Sequence, residues 1–183
     1  MAKLVNVTDS IVVNPSGYTG LTNLTTTTSY PVTNGYTNAS STSYARFTLS
    51  SGATGYLYFT FDTSAVPEAA TITSITGTVK VRVNSTTTVT NTKCQLYTNT
   101  TAKGNNVTFA STSSSNTISI SATNAGSWTR NELTNLRLRI GGTGASSSGS
   151  GSSSRYIYFY GANITINYSY QGYEYTIAAT SML

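Results

Sequence analysis

Alternation with a period of two dominates this chain, and no segment keeps a helical period for more than about two turns. The clearest case is Tyr56-Leu57-Tyr58-Phe59-Thr60-Phe61, where Leu57, Phe59 and Phe61 share one face and Tyr56, Tyr58 and Thr60 the other. The same rhythm returns in Thr78-Val79-Lys80-Val81-Arg82-Val83, with three valines inward and Lys80 and Arg82 outward. Leu136-Arg137-Leu138-Arg139-Ile140 repeats it with Arg137 and Arg139 outward. Shorter strands are predicted over 4–13 and 45–49, around Cys94 and Leu96, at Val107 and Phe109, and at Ile118 and Ile120. Residues 155–160 and 163–168 read as a closing pair, with Gly161-Ala162 between them as a bulge or a tight connection.

Turn chemistry punctuates these runs. Asn14-Pro15-Ser16-Gly17, Tyr30-Pro31, Asn34-Gly35 and Val66-Pro67-Glu68 each interrupt the alternation, and Gly141 to Ser154 reads as a Gly/Ser loop. One short helical turn is predicted near 129–133, because Thr129 and Glu132 have the spacing of a capping box. Trp128, just before it, is expected to anchor that turn in the core. Many short strands with turn signals between them predict an all-β fold, a two-sheet antiparallel sandwich wound as a jelly roll. The chain divides into an N-terminal arm and first strand (1–29), a sandwich (30–170) and a C-terminal tail (171–183) carrying Tyr173 and Tyr175.

Composition narrows the chemistry. The 183 residues include 36 Thr, 27 Ser and 16 Asn, but no His, one Cys and five acids, with 8% charged residues. An average soluble domain carries roughly 25%. Without His the usual general base and metal ligand are missing, and one Cys makes neither an internal disulfide nor a zinc cluster. Asp9, Asp62, Glu68, Glu132 and Glu174 are the whole supply of carboxylates. Asp62 and Glu68 flank a proline turn, but Asp62 is better read as accepting turn hydrogen bonds or pairing with an Arg, and Glu132 as completing its cap. The expectation is therefore no enzyme, no metal and no cofactor. Cys94 falls on an inward position and reads as a small buried hydrophobe.

The net charge of +5 arises from few acids rather than many bases, a weak footprint for nucleic acid. No apolar run approaches the roughly 20 residues that cross a bilayer. Residues 1–9 lack the apolar region of a secretory signal. A quiet, hydroxyl-rich surface without that signal fits a virion component, made in the host cytoplasm and later exposed on the particle.

Two stretches carry a resemblance. Residues 58–75, Tyr-Phe-Thr-Phe-Asp-Thr-Ser-Ala-Val-Pro-Glu-Ala-Ala-Thr-Ile-Thr-Ser-Ile, resemble a segment of jelly-roll modules in surface-polysaccharide proteins and phage structural proteins. Trp128-Thr129 through Leu136-Arg137-Leu138-Arg139, followed by Tyr160-Gly161-Ala162-Asn163-Ile164-Thr165-Ile166-Asn167-Tyr168, is similar to small structural proteins of tailed phages of Gram-positive bacteria. The resemblance covers about residues 30–170 and leaves both ends unmatched.

It implies a capsid decoration or head-fibre protein that attaches through sheet faces and terminal arms. Its partners would be other virion proteins and further copies of itself. The competing expectation is a module that holds host cell-wall glycan on exposed tyrosines. The candidate contacts are Tyr56, Tyr58, Lys80, Arg82, Arg137, Arg139, Tyr156, Tyr158, Tyr160, Tyr173 and Tyr175. Lys80/Arg82 and Arg137/Arg139 would form one basic stripe if their strands were neighbours. Tyr-rich, charge-poor faces otherwise suit subunit interfaces.

Overall fold

A computed structural model of the protein describes residues 2–110, 114–146 and 154–175. The strands are β1 (Ala2–Val13), β2 (Pro15–Thr22), β3 (Leu24–Thr26), β4 (Ala45–Leu49), β5 (Thr54–Phe61) and β6 (Thr71–Val83). They continue with β7 (Val89–Thr98), β8 (Thr101–Ala102), β9 (Asn116–Ser121), β10 (Leu136–Gly144) and β11 (Tyr156–Tyr175). One antiparallel sheet has the order β3-β4-β11-β6-β9, with β1 also paired to β11, and the other β2-β5-β10-β7-β8. Strands β4 to β11 alone give β4-β11-β6-β9 over β5-β10-β7-β8, the winding of a jelly roll. The all-β sandwich expected from the alternation is therefore the observed architecture.

Its core comes from the inward positions of each strand. Phe47, Leu57, Phe59, Val81, Leu138, Ile140, Ile157 and Phe159 are all fully buried. Phe59 and Phe159 stack at 4.2 Å between ring centroids, joining β5 of one sheet to β11 of the other. Cys94 is buried among them, and burial pushes its thiol well above the usual range. The helical turn is α1 (Arg130–Thr134), with Thr129 as N-cap and a complete capping box to Glu132. Trp128 is buried beside it, and its Nε1 donates to the Thr123 carbonyl at 3.3 Å.

The structure departs from the expected strands in four places. Val107 and Phe109 do not form a strand. Val107 makes a single bridge to Cys94, and the Thr92 hydroxyl bonds both backbone groups of Phe109. Gly141 to Gly144 belong to β10 rather than to a loop. A Cβ on Gly141 would lie 2.5 Å from the Gly55 carbonyl oxygen, so the sheet needs glycine there. Residues 147–153 of that expected loop lie outside the described residues.

The third departure is larger. Residues 156–168 are not two strands but one part of β11, which carries a bulge, and Arg155 precedes the strand. Phe159 pairs with Val81 and Gly161 with Lys80, so one residue of β11 is extra. Before it the buried positions are Ile157 and Phe159, and after it Ala162, Ile164 and Ile166. Gly161 sits at φ +139°, a conformation that side chains disfavour. A second offset lies on β6, where Asn167 pairs with Ser74 but Tyr168 with Ile72, so that Ile72 and Ile75 are both buried.

The fourth concerns the ends. β2 and β3, within residues 1–29, are built into the two sheets. β1 pairs with β11 from Val13↔Ile164 to Ala2↔Tyr175, so the first and last described strands zip together. The β6–β11 ladder ends at Ser169↔Thr71. Beyond it residues 2–7 and 170–175 continue as a two-stranded ribbon. Residues 176–183 of the expected tail lie outside the described residues.

Candidate functional site

The outward positions of the strands build two separate layers of tyrosine and arginine, one on each outer face. On the β11 sheet, Tyr158 pairs with Arg46 on β4 and with Arg82 on β6, so one cross-strand row reads Arg-Tyr-Arg. The Arg82 guanidinium lies 3.7 Å from the centre of the Tyr158 ring, and its Nε donates to the Tyr160 hydroxyl at 3.0 Å. Arg46 is held between Tyr30 (4.5 Å) and Tyr156 (4.6 Å). Lys80 Nζ lies 5.4 Å from the Tyr160 ring and donates to the Ser41 carbonyl at 2.8 Å. Tyr44 closes the layer, stacked on Tyr30 at 4.9 Å and against Tyr158 and Tyr160.

The opposite face repeats the chemistry with fewer rings. Arg139 lies 4.3 Å from the Tyr56 ring, and its Nη1 donates to the Tyr97 hydroxyl at 2.9 Å. Arg137 lies 6.0 Å from the Tyr58 ring and bonds the carbonyl and side-chain oxygens of Asn99. Tyr58 packs against Tyr97 at 5.3 Å and is itself buried. Burial raises its hydroxyl above the usual tyrosine range, with Arg139 opposing, so it stays protonated.

These layers change the sequence picture of the site. The single basic stripe does not form, because β6 and β10 lie in different sheets and their cations point away from each other. Ring faces at Tyr56, Tyr156, Tyr158 and Tyr160 are each taken by a cation of the same chain. Such contacts contribute about 0.5–1 kcal/mol each at exposed positions and more where desolvated. Tyr30, Tyr44, Arg46 and Tyr97 complete the layers and were absent from the sequence candidates. Arg46, between buried Ala45 and Phe47, carried the same outward signal as Arg82. Tyr173 stands apart, 65% exposed on the ribbon opposite Leu4. The side chain of Tyr175 lies outside the described residues.

A shallow groove of about 480 Å³ lies where β1, β11, β6 and β9 meet. Thr76, Thr78, Ser119, Ser121 and Thr165 line it with Val12, and it holds no charged group and no aromatic ring. Among the described residues no three acidic, His or Cys side chains gather. Asp62 accepts a 2.9 Å bond from the Ser64 N–H, and hydrogen bonds from Ser64 hold its carboxyl below the usual range. Glu132 bonds Lys103 and the Thr129 N–H, and these hold it low as well, Lys103 first.

Depressed carboxyl values fix the sign of the acid response. Both groups stabilise the fold above the carboxylate pKa of the unfolded chain, and that contribution disappears as pH falls through the lower folded values. With no His to titrate, thermal midpoints should be nearly flat from pH 6 to 8 and fall as the solution is acidified below about pH 4. Glu132→Gln should flatten part of that fall. An acid limb identical in the variant and the parent would show that the cap carboxylate takes no part.

No protein-family model matches the chain, and no curated protein matches it in sequence.

Proposed function

We propose that this chain is a non-enzymatic structural protein of a tailed-phage virion, a capsid decoration or head-fibre component, attached through its terminal ribbon. One observation carries the reading. Residues 2–7 and 170–175 are zipped into a ribbon that runs past the sandwich, with Leu4 57% and Tyr173 65% exposed on one side of it. An exposed two-stranded extension gains stability by packing on something else. The phage-like segments at 58–75 and 128–168 supply the context.

The Tyr/Arg layers weigh against the glycan-binding alternative. Stacking on a sugar needs free ring faces, and most rings there already face a guanidinium, an ammonium or another ring. Their role in this reading is to seal the outer faces of a sheet that carries few charges.

Gold-labelled antibody against the chain, applied to purified particles of the phage that encodes it, should mark a fixed position on the head or tail. Removing residues 2–7 should lower its copy number in the particle. A chain found only in the free soluble fraction of the lysate, never with particles, would overturn the proposal.

A further inference from the structure

The ribbon leaves one backbone edge open. Among the described residues β1 pairs with β11 alone, so the other side of Ala2–Val13 presents a row of unpaired N–H and C=O groups. Natural proteins blunt such edges with proline, repeated lysine or a covering segment. This edge has Lys3 as its only lysine and no proline. Lys3 and Asp9 are both exposed, and they lie on the same side of the ribbon as Val5 and Val7.

Side chains on that edge are complementary to themselves in reverse. When the strand is laid antiparallel against a copy of itself, like-oriented backbone groups meet only where the paired residue numbers sum to an even value. At a sum of twelve Lys3 faces Asp9, Val5 faces Val7, Leu4 faces Thr8, and Asn6 meets its own copy on the two-fold axis. Two opposite-charge pairs then form, one on each side of the axis. At a sum of ten Lys3 would face Val7, and at fourteen Ile11. At sixteen Leu4 would face Val12, but Asp9 would face Val7 and Lys3 would face Val13.

The body of the molecule permits the twelve register. Thr8 pairs with Ser169, the last residue of β11 that is joined to β6. An axis at Asn6 therefore lies two residues beyond the sandwich, and the two bodies sit at opposite ends of a shared four-stranded ribbon. Asp9 already accepts from the Ser10 N–H at 2.7 Å, with the Tyr168 hydroxyl at 3.4 Å from its other oxygen, so its carboxylate is held in place on that face.

We infer that β1 is a homodimer edge: a second copy of this chain pairs antiparallel along residues 2–10, centred on Asn6. This rests on the ribbon's being the assembly element of the proposed function, and the two ideas fail separately. A chain that is present in particles but monomeric in solution at high concentration would overturn only the pairing.

The register is tested by single cysteines in the full chain under mild oxidation. Asn6→Cys places two thiols directly opposite each other, with Cα atoms about 4.5–5.5 Å apart. It should give a disulfide-linked dimer. Thr8→Cys places them roughly 14 Å apart along the ribbon and should stay monomeric. Buried Cys94 does not compete. Efficient cross-linking of Thr8→Cys, or none at Asn6→Cys, would overturn the assignment.

Sedimentation gives a second reading on unlinked protein. Lys3→Glu or Asp9→Lys alone should weaken dimerisation roughly tenfold, and the two together should restore it. Equal dimerisation in all four proteins would overturn the charge pairing.

Discussion

Deleting Gly161 is expected to leave a chain that still folds and unfolds cooperatively, with β11 made regular and its midpoint lowered. β11 faces the core through Ile157 and Phe159 before the bulge and through Ala162, Ile164 and Ile166 after it, and the bulge absorbs one extra residue. Without that residue the two halves fall into one unbroken alternation, so the same side chains keep facing the core. The ladder to β6 would then run on from Phe159 and Val81 to Ala162 and Val79 without a step. The cost is local. At the bulge the Thr37 hydroxyl donates to the Tyr160 carbonyl and the Ala162 N–H to the Thr37 carbonyl. Each bond lost costs about 0.5–1.5 kcal/mol.

Gly161→Ala is the informative companion. It keeps the residue count but puts a Cβ 2.4 Å from the carbonyl oxygens of Thr37 and Asn38, at φ +139°. It should fold and melt lower, because strain costs of this kind are about 1–3 kcal/mol. Circular dichroism in the near ultraviolet, following Trp128 and the buried tyrosines, checks that both variants keep their packing. A deletion variant with no cooperative transition would show that the bulge itself, and not only the alternation, holds β11 on the core.

The same bulge shows what the sequence withholds. In 57–61, 79–83 and 136–140 every second residue is apolar, so one strand can be read at a time, and each reading matches the buried face. In 156–168 the alternation changes phase at Gly161, and local sequence does not distinguish a kinked strand from two strands. The distinction comes from β6, which runs unbroken beside both halves. Gly141 and Gly144 were obscured for a related reason. Their glycines serve close backbone approach across the sheet, which looks like a loop when the neighbouring strand is out of view.

Contacts between distant segments were the least visible. That Arg82 faces outward was legible, but its neighbours on the face, Arg46 and Tyr44, come from segments some forty residues earlier. Whether Lys80/Arg82 and Arg137/Arg139 share a face depended wholly on which strands pair. The terminal ribbon joins Ala2 to Tyr175, and nothing local in either segment names its partner. Side-chain direction is a property of one strand, whereas a surface is a property of pairing.

The second large effect should come from the aromatic bridge between the sheets. Phe59 and Phe159 are fully buried and stacked at 4.2 Å and 22°, and Phe47 and Tyr36 meet Phe59 edge-on. The 3-10 turn Val32–Gly35 closes over the pair so tightly that a Cβ on Gly35 would lie 2.6 Å from the Phe159 ring. Phe159→Ala should therefore cost about 3–5 kcal/mol, because the bulged strand is held on both edges and is poorly placed to collapse into the cavity. Urea unfolding should show a lower midpoint with an unchanged slope. Phe59→Ala should cost a similar amount, and the double variant less than the sum of the two, by the roughly 0.5–1.5 kcal/mol of the ring–ring contact. Full additivity would mean that the rings act independently, each filling its own sheet. A shortfall would place the contact between the sheets among the interactions that hold the jelly roll closed, because no backbone ladder crosses that gap.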